Sequence, residues 1–312
     1  MSYINVKQAS ELWKLSDRRI RVLCEIGAIS GAKKNGRAWL IPGESVKPCD
    51  KRLLRGKIIP KQYTDLFYRI DSKKQEVDKR RPLTLGEVLR LKEEFLVEFT
   101  YDSNAIEGST LTLQETAMVL EGITIDQKPI KEHLEAIGHR DAFLYIESLI
   151  KKNAAISEKI IKEIHSLVLI NRPEDKGIYR RIPVKIIGAL NEPVQPYLIS
   201  IKMEALIRDY EKMKKTRHII ECVVLFHIMF EEIHPFVDGN GRTGRLLMNF
   251  DLMQNGYPAI NIKYFDRKKY YEAFNCYYKN FHDNNGDISK MIELVSRYIE
   301  EMLDKYLSML KK

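Results

Sequence analysis

A chain of 312 residues, of which 44% are hydrophobic and 30% charged, has the composition of a soluble globular protein and enough length for about two domains. The four cysteines are far apart and form no CxxC pair, which argues against a disulfide framework or a zinc site and favours a reducing, cytoplasmic environment. The start, MSYINVKQASELWK, lacks the basic and apolar regions of a signal peptide. The most apolar run, 222–230, is too short to cross a membrane, so no membrane partner is expected.

The net charge of +9 is concentrated near the N-terminus. Residues 1–57 contain 13 Lys and Arg against 5 Asp and Glu, a net charge of +8, and the remaining residues carry only +1. Such an asymmetry is typical of a nucleic-acid-binding module at one end of a chain.

The first predicted elements form a small domain over residues 1–55. Apolar residues within 3–14 fall on one helical face, and Ser16 is a suitable N-cap for a second helix over 17–26. Residues 34–37 read KNGR and have the Asn-Gly preference of a hairpin turn, so a β-hairpin is expected around them. Helix, turn, basic helix and basic wing together resemble the winged helix-turn-helix modules of excisionase and MerR-type proteins.

This resemblance implies DNA as a partner, with the second helix in the major groove and the wing against the phosphates. A protein-docking domain whose basic face is merely solvated is the alternative interpretation. The side chains expected to contact DNA are Arg18, Arg19, Arg21, Lys33, Lys34 and Arg37.

Residues 56–81 are charged and weakly patterned, which predicts a linker that contains one helix around residues 63–72. The pattern changes at Pro82, where a capping box at 84–87 precedes apolar residues at helical spacing. A second capping box at 112–115 opens another predicted helix. Further helical patterns follow, so the second domain, residues 82–312, is predicted to be mainly α-helical.

Residues 234–245 read HPFVDGNGRTGR and combine several groups that phosphate chemistry needs. His234 supplies an imidazole, which can take a proton near neutral pH, and Asp238 supplies a carboxylate that can hold a hard cation. Two glycines flank an amide over 239–241, and apolar residues at helical spacing follow, so this loop is predicted to open a helix. Helix N-termini bind anions through their free N–H groups.

Two arginines complete the pattern, because the planar guanidinium groups of Arg242 and Arg245 match phosphate oxygens. The motif therefore predicts a site for a metal-bound polyphosphate with a general base beside it. A glycine turn capped by surface charge is the simpler alternative, but it leaves the complete ordered set unexplained. The chain lacks the GxxxxGK[ST] of a P-loop, and an EF-hand loop would need further ligands where Arg242 and Thr243 stand.

The stretch HPFVDGNGRTGR matches the HPFx[DE]GNGRxxR signature at every fixed position, and the chain thereby resembles Fic-domain enzymes. Most of these enzymes transfer AMP from ATP to a hydroxyl group of a target protein. The resemblance covers about residues 82–300 and implies an all-helical core with a β-hairpin flap, ATP and Mg²⁺ as cofactors, and His234 as the catalytic base. It implies a nucleotide site formed by Asp238, Gly239, Asn240, Gly241, Arg242, Thr243, Gly244 and Arg245, with Asp238 as the metal ligand.

A second signature lies upstream, where residues 103–108 match the [ST]xxxE[GN] inhibitory motif of Fic proteins. A lone Glu in the last turn of a helix is ordinarily an exposed acid. The resemblance implies instead that Glu107, with Ser103 in the same motif, pairs with Arg245 and keeps ATP in an unproductive position. In some relatives this Glu also orients a water that removes AMP, so both directions of reaction stay open.

Two further stretches resemble parts of the family's nucleotide site. Residues 177–180 and the alternating stretch 184–188 resemble the flap, a β-hairpin that aligns the target peptide, although an ordinary edge hairpin is the alternative. Where the family often has paired prolines, this chain has 191–196, NEPVQP, which leaves target selection open. The residues expected near the nucleotide are Ile187, Gly188, Ala189, Leu190, Tyr270 and Tyr271. For the two tyrosines, a position in the hydrophobic core is the alternative.

Other histidines carry no predicted chemistry. Residues 113–171, 205–215 and 219–232 are helical by pattern, and a lone histidine on such a helix is more often packed than catalytic. No chemistry is therefore assigned to His133, His139 or His165, which are expected to be packed or on the surface. His227 has Glu231 four residues later, a spacing that could suit a metal, but a packing role is favoured for His227.

The sequence therefore predicts an autoinhibited protein adenylyltransferase with a DNA-binding module, whose substrate is a Tyr, Ser or Thr hydroxyl of a target protein. One alternative is a DNA-binding regulator whose Fic core only senses nucleotide. Another is a Fic enzyme that transfers a different phosphate-linked group. Homodimer formation is compatible with each of these hypotheses.

Overall fold

The computed structural model describes residues 3–13, 15–25, 29, 31–36, 38–43, 45, 60–80, 85–186, 191–279 and 286–310. The chain folds into two compact units, Met1–Arg55 and Gly56–Lys312. Most of the described residues are helical. None of the helices in this part of the chain is both long and apolar enough to cross a bilayer.

The first unit combines two short helices with a three-stranded antiparallel sheet. Its elements are β1 (Tyr3–Asn5), α1 (Val6–Trp13), α2 (Asp17–Glu25), β2 (Lys33–Asn35) and β3 (Ala38–Pro42), with β3 in the centre of the sheet. Ala9, Ile20 and Ile41 are fully buried and join the helices to the sheet. Ser16 Oγ accepts the Arg19 N–H at 3.3 Å, which confirms the predicted cap.

The predicted first helix begins later than expected, because residues 3–5 form a strand rather than a helical turn. Their backbone pairs with β3, so that Ile4 lies opposite Ile41. The helical pattern alone could not reveal this strand, since its partner is more than thirty residues away in the sequence.

The second unit is built from ten described helices. They are α3 (Thr64–Lys79), α4 (Leu85–Ile106), α5 (Leu113–Leu120), α6 (Ile130–Lys151), α7 (Glu158–Val168), α8 (Ile199–Thr216), α9 (Ile219–Ile233), α10 (Asn240–Gln254), α11 (Arg267–Lys279) and α12 (Ser289–Met309). At the start of α5, Thr112 and Glu115 form the predicted capping box.

Helices α9 and α10 form the centre of this unit. Both are buried over most of their length, and their apolar side chains contribute to two large hydrophobic clusters. Phe230 on α9 and Phe250 on α10 are fully buried, as is Phe236 in the loop between the helices. Burial on both sides of the α9–α10 loop holds its backbone in one conformation, which positions the candidate site.

The segment expected to be a linker, 56–81, belongs to the second unit instead. Most of its described part is the helix α3. Phe67 and Ile70 of this helix are fully buried against the rest of the unit. On the outer face, Arg69 forms an ion pair with Glu300 of α12 at 2.6 Å. The high charge that suggested a linker therefore belongs to the solvent-facing side of an amphipathic helix.

The predicted flap also differs from the structure, since residues 177–186 contain no strand. A hairpin without a third strand is only marginally stable, and the described three-stranded sheet lies entirely in the first unit. Arg180 fixes the start of this segment by side-chain bonds to backbone carbonyls. The residues expected at the flap tip, Ile187, Gly188, Ala189 and Leu190, lie outside the described part of the chain.

Candidate active site

His234 stands at the end of α9 in a left-handed backbone conformation, with φ 48° and ψ 61°. Its N–H donates to the Phe230 carbonyl at 3.0 Å and so closes the last helical turn. Non-glycine residues rarely adopt positive φ, and such positions are common at functional sites. The side chain is 18% exposed, so the imidazole is held by the protein and still accessible.

The loop that follows is closed by the Asn240 side chain. Its amide accepts the Phe236 N–H and donates to the Phe236 carbonyl, both at 2.9 Å. Gly239, with φ 76°, then lets the chain turn into α10. The expected contact of the Asn240 side chain with phosphate is therefore not what this side chain does here, whereas the first N–H groups of α10 lack helical acceptors and can face an anion.

Asp238 presents a charged carboxylate at the edge of this loop. Its Oδ1 accepts the Gly239 N–H at 2.7 Å and lies 3.4 Å from Arg242 Nη2, and its Oδ2 lies 3.5 Å from Arg172 Nη2. Burial raises the pKa of Asp238, but Arg242, the Gly239 N–H and Arg172 lower it by more, so the net pKa lies below its ordinary value.

A magnesium ion fits this single carboxylate better than a metal that needs a protein cage. The Asp238 side chain is 33% exposed. In the described ranges no group of three or more His, Cys, Asp or Glu residues converges to hold a metal. Mg²⁺ usually keeps several waters and binds through one or two carboxylates together with substrate phosphates, which is compatible with such a site.

His165 on α7 connects the loop to the start of the flap segment. Its Nδ1 accepts the Gly177 N–H at 2.8 Å, so the ring proton is on Nε2, which donates to the Asp238 carbonyl at 2.9 Å. The ring also stacks on Phe236, with 3.6 Å between the centroids. Burial lowers the pKa of His165 to about 4, so the ring is neutral at neutral pH. The sequence carries no signal for this role, because the partners are distant along the chain.

Arg242 is turned toward the protein and is 3% exposed. Its Nη1 lies 3.2 Å from Glu135 Oε1 on α6 and donates to Asn104 Oδ1 on α4 at 3.4 Å. The sequence predicts that Arg242 holds the β-phosphate region. In this structure it joins α4, α6 and Asp238, and so supports the carboxylate at the loop edge.

Arg245 brings the two sequence motifs together. Its Nη2 donates to Glu107 Oε1 at 2.7 Å and to the Ser103 carbonyl at 2.8 Å, and its Nε donates to Ser103 Oγ at 3.0 Å. The Arg245 side chain is 2% exposed, whereas that of Glu107 is 34% exposed. Burial lowers the pKa of Arg245, but Glu107 and Tyr270 raise it by more, so the guanidinium stays charged.

Two positions of α10 require glycine, because other side chains occupy the space that a Cβ would fill. A Cβ on Gly241 would lie 2.2 Å from Glu107 Oε1, and a Cβ on Gly244 would lie 2.7 Å from Glu231 Oε1. Thr243 between them is fully buried. Glycine at these two positions therefore leaves room for the two carboxylates, as it would for a bound nucleotide.

The two tyrosines of α11 take different positions. Tyr270 is 2% exposed and its hydroxyl lies 2.7 Å from His227 Nε2 and 3.5 Å from Arg245 Nη1, which places it in the core behind the site. Tyr271 is 43% exposed and donates to the Ile106 carbonyl at 3.3 Å. Tyr271 is therefore the one that could reach a ligand directly.

Arg180 lies in the predicted flap motif, and the sequence assigns no separate role to it. It contacts the loop that carries His234. Its Nε donates to the His234 carbonyl at 2.8 Å, and its backbone N–H donates to the Pro235 carbonyl at 2.9 Å. A third bond runs from Nη2 to the Val194 carbonyl. The side chain is 3% exposed, so its loss would leave several carbonyls without donors.

The basic side chains of the first unit face solvent. Of those expected to contact DNA, Arg37 lies outside the described residues. The others are exposed or half-buried on α2 and β2, namely Arg18, Arg19, Arg21, Lys33 and Lys34.

Comparison with known proteins shows similarity to Fic proteins. Residues 155–252 match the Fic/DOC family model. The protein adenylyltransferase Fic of Nematostella vectensis is 35% identical over 274 residues, which are 85% of this chain and 62% of that protein. The protein of the same name from Drosophila melanogaster is 36% identical over 225 residues, 71% of this chain and 44% of that protein. This chain thus spans less than two thirds of the length of these relatives.

Solved structures agree with the sequence comparison. A Fic-domain-containing signaling protein from Bacteroides thetaiotaomicron superimposes with a TM-score of 0.70 at 26% identity, over 77% of this chain and 96% of that chain. Fic-1 from C. elegans gives a TM-score of 0.67 at 27% identity, over 78% of this chain and 71% of that chain. Residues 155–252 thus match the Fic/DOC family model, and the mainly helical fold of the chain is similar to that of these Fic structures, as the sequence predicted.

Proposed function

We propose that this chain is an autoinhibited protein adenylyltransferase, which transfers AMP from ATP–Mg²⁺ to a tyrosine, serine or threonine hydroxyl of a target protein. The similar proteins carry the name protein adenylyltransferase Fic, which supports this activity. The observation that carries the proposal is the position of His234, whose accessible imidazole shares one rigid loop with the Asp238 carboxylate and the open N-terminus of α10.

The proposed reaction needs a general base and an anion site. His234 takes the proton of the target hydroxyl through Nε2, and the hydroxyl oxygen forms a bond to the α-phosphorus of ATP. The bond from this phosphorus to the α,β-bridging oxygen breaks, and pyrophosphate leaves. The first N–H groups of α10 stabilise the charge on the phosphate oxygens. When Mg²⁺ is bound, it neutralises charge on the phosphates, and Asp238 is the residue that would hold it.

The Arg245–Glu107 pair supports autoinhibition. Arg245 would bind the γ-phosphate of ATP, but in this structure its Nη2 is bonded to Glu107 and Ser103. A buried arginine cannot give up such a partner without cost, because an unpaired buried charge is unfavourable. Glu107 therefore competes with the triphosphate for Arg245. The same carboxylate could also orient a water that removes AMP from a target, so the proposal includes the reverse activity.

A labelling assay tests the proposal. The full chain, Glu107→Gly, and Glu107→Gly combined with His234→Ala are incubated with cell lysate and ATP labelled at the α-phosphate, in parallel with ATP labelled at the γ-phosphate. We expect weak α-label transfer by the wild type, stronger transfer by Glu107→Gly, and none by the double variant. Transfer of the γ-label instead would mean phosphorylation. No transfer by Glu107→Gly under any condition would favour a nucleotide sensor.

We also propose that the first unit binds DNA. The net charge of +8 over residues 1–57 supports this role. So does the placement of Arg18, Arg19 and Arg21 on α2 and of Lys33 and Lys34 on β2. In this proposal α2 enters the major groove and the β2–β3 hairpin contacts phosphates.

A mobility-shift titration at several salt concentrations tests the DNA proposal. Replacing Arg18, Arg19 and Arg21 by Ala should weaken binding and lower the salt slope by about one per lost phosphate contact. The matched control removes the same charge from exposed positions of α8, Lys202, Lys212 and Lys215. Failure of the wild-type chain to shift any duplex at low salt would leave a protein-docking role.

A further inference from the structure

One carboxylate that the reaction above does not use lies beside the catalytic histidine. Glu231 precedes His234 by one turn of α9, and its Oε2 lies 3.6 Å from His234 Nδ1. Nδ1 is buried and has no hydrogen-bond partner within 3.5 Å among the described residues. The imidazole is therefore turned with Nδ1 toward Glu231, which leaves Nε2 as the nitrogen available to a substrate.

The surroundings of Glu231 keep it charged. Its side chain is 13% exposed, and its Oε1 is buried without a donor in the described part of the chain. Burial raises the pKa of Glu231, but His234, His227 and Arg245 lower it by more, so the net pKa lies below its ordinary value. Other titratable groups that interact electrostatically with it are Tyr270, Tyr271 and Tyr278.

Space for this carboxylate is reserved on the neighbouring helix. A Cβ on Gly244 would lie 2.7 Å from Glu231 Oε1 and 2.8 Å from His227 Cε1, so only glycine fits without displacement. Gly244 belongs to the HPFVDGNGRTGR motif, where the sequence predicts that it serves the nucleotide. In this structure it also admits Glu231 behind the catalytic histidine.

We propose that Glu231 is a positioning residue for His234. Its carboxylate accepts a hydrogen bond from Nδ1–H and thereby holds Nε2 unprotonated and directed at the substrate hydroxyl. A base whose second nitrogen is oriented by a carboxylate is a general solution for proton transfer. As His234 takes the hydroxyl proton, the imidazole becomes positively charged, and the Glu231 carboxylate stabilises that charge. This inference rests on the proposed function for its role in catalysis, but the contact itself can be measured without any activity.

A different role for Glu231 would be to balance the charge of Arg245. The two roles predict different kinetics. Loss of charge balance would alter ATP binding through Arg245, whereas loss of positioning would lower kcat and change its pH dependence while the KM for ATP stays similar.

The chain offers a matched control one residue away. Glu232 is a half-buried glutamate on the same helix, and no contact with His234 accompanies it in the described structure. Glu231→Gln and Glu232→Gln therefore remove the same charge from adjacent positions. Glu231→Asp serves as a second variant, because it keeps the charge but withdraws the carboxylate by one methylene.

The first measurement is an NMR titration of the histidine ring signals in the full chain, with His234 assigned by His234→Ala. Because Glu231→Gln removes the negative charge beside Nδ1, we expect the His234 ring signals to titrate at lower pH in that variant than in the wild type and to be unchanged in Glu232→Gln. Glu231→Asp, which keeps the charge, should change the midpoint less than Glu231→Gln does. An unchanged midpoint in a folded Glu231→Gln protein overturns the proposal, whatever the catalytic activity of the chain.

The second measurement is AMP transfer in the Glu107→Gly background. Glu231→Gln should lower kcat by about tenfold or more and shift the acidic limb of the pH–rate profile to lower pH, while Glu232→Gln does neither. If the midpoint moves but the parent transfers no AMP, the proposed function fails and the Glu231–His234 contact stands. If the parent is active and Glu231→Gln keeps its kcat and pH profile, the positioning role is wrong.

Discussion

Arg245 holds Glu107 and Ser103 at the same time, with Nη2 bonded to Glu107 Oε1 at 2.7 Å and Nε bonded to Ser103 Oγ at 3.0 Å. The arginine belongs to α10, Ser103 lies in the last turn of α4, and Glu107 directly follows that helix. The bonds therefore join the HPFVDGNGRTGR motif to the upstream motif. A nucleotide that needs Arg245 must therefore compete with two partners rather than one. The partners of Arg245 thus form a cluster, and each of them can be removed separately.

Ser103→Ala should raise AMP transfer, but by less than Glu107→Gly. The substitution removes the Ser103 Oγ acceptor and leaves both the Ser103 carbonyl and the Glu107 carboxylate bonded to Arg245. The initial rate with α-labelled ATP measures the effect. Ser109→Ala is the control, since Ser109 Oγ bonds Glu132 and not Arg245. Equal activation by Ser103→Ala and Ser109→Ala would mean that the Ser103 hydroxyl does not restrain Arg245.

Gly241→Ala should lower the stability of the fold, because the new methyl group would clash with Glu107. The new Cβ would lie 2.2 Å from Glu107 Oε1 and 3.1 Å from Arg245 Nη1, so the carboxylate must move away. We expect a cost of about 1–3 kcal/mol in the free energy of unfolding, and most of this cost should disappear in the Glu107→Gly background. Urea denaturation of the four proteins gives the coupling.

The control for this cycle is Gly86→Ala, because nothing lies within 4 Å of a Cβ at Gly86 in the same helix as Glu107's motif. Alanine there should stabilise the chain by roughly 0.5–1 kcal/mol. Additive effects of Gly241→Ala and Glu107→Gly would show that the two positions do not interact.

Sequence reasoning reaches furthest where the structure is set by neighbours along the chain. The caps at Ser16 and Thr112 are predictable because a side-chain oxygen bonds an N–H only three residues away. The order of the residues in 234–245 is sufficient to predict that the glycine loop opens a helix, as it does at α10. In both cases the information is local, so no knowledge of the packing is required.

The sequence does not predict the features that depend on contacts between residues far apart along the chain. The charged stretch 56–81 has the pattern of a linker, although α3 packs against α12, more than two hundred residues away. His165 has no predicted role, because its partner Asp238 is 73 residues distant. Glu231 stands out in the sequence only for its spacing from His227, since the left-handed turn that brings His234 back over the helix end is not visible in a sequence pattern. Each of these three features depends on a tertiary contact.

His165→Gln should weaken the dependence of stability on pH in the acidic range. Burial lowers the pKa of His165 to about 4, below the value of about 6.5 in an unfolded chain. The unfolded chain therefore binds a proton between pH 6.5 and 4 while the native ring stays neutral. This contribution to stability is complete above pH 6.5 and is lost at about 1.4 kcal/mol per pH unit as the pH falls toward 4.

Urea denaturation at pH 7.5, 6, 5 and 4.5 measures this effect. His227, whose pKa burial also lowers to about 4, remains in the variant, so the slope should decrease without vanishing. His133→Gln is the control, because His133 accepts the Ile125 N–H and lies outside the catalytic loop. An identical slope in the wild type and His165→Gln would contradict the assignment of a neutral, buried His165.

Asp251→Asn should stabilise the chain at alkaline pH. Asp251 on α10 is 1% exposed, neither carboxylate oxygen has a hydrogen-bond partner in the described ranges, and the nearest cation, Lys214 Nζ, lies 3.9 Å from Oδ1. Burial raises the pKa of Asp251 to about 7, above the value of about 3.9 in an unfolded chain. The native state therefore favours the protonated acid, and this advantage is complete below pH 4 and is lost as the pH rises toward 7.

The variant has no charge to bury, so its stability relative to the wild type should increase between pH 4 and pH 8. Linkage gives an increase of about 2–4 kcal/mol over that range, measured by urea denaturation at each pH. Asp78→Asn is the matched control, because Asp78 is 55% exposed and pairs only with Lys74 of its own helix. A pH-independent difference between Asp251→Asn and the wild type would mean that the Asp251 carboxylate is paired or hydrated in solution and carries its charge at low cost.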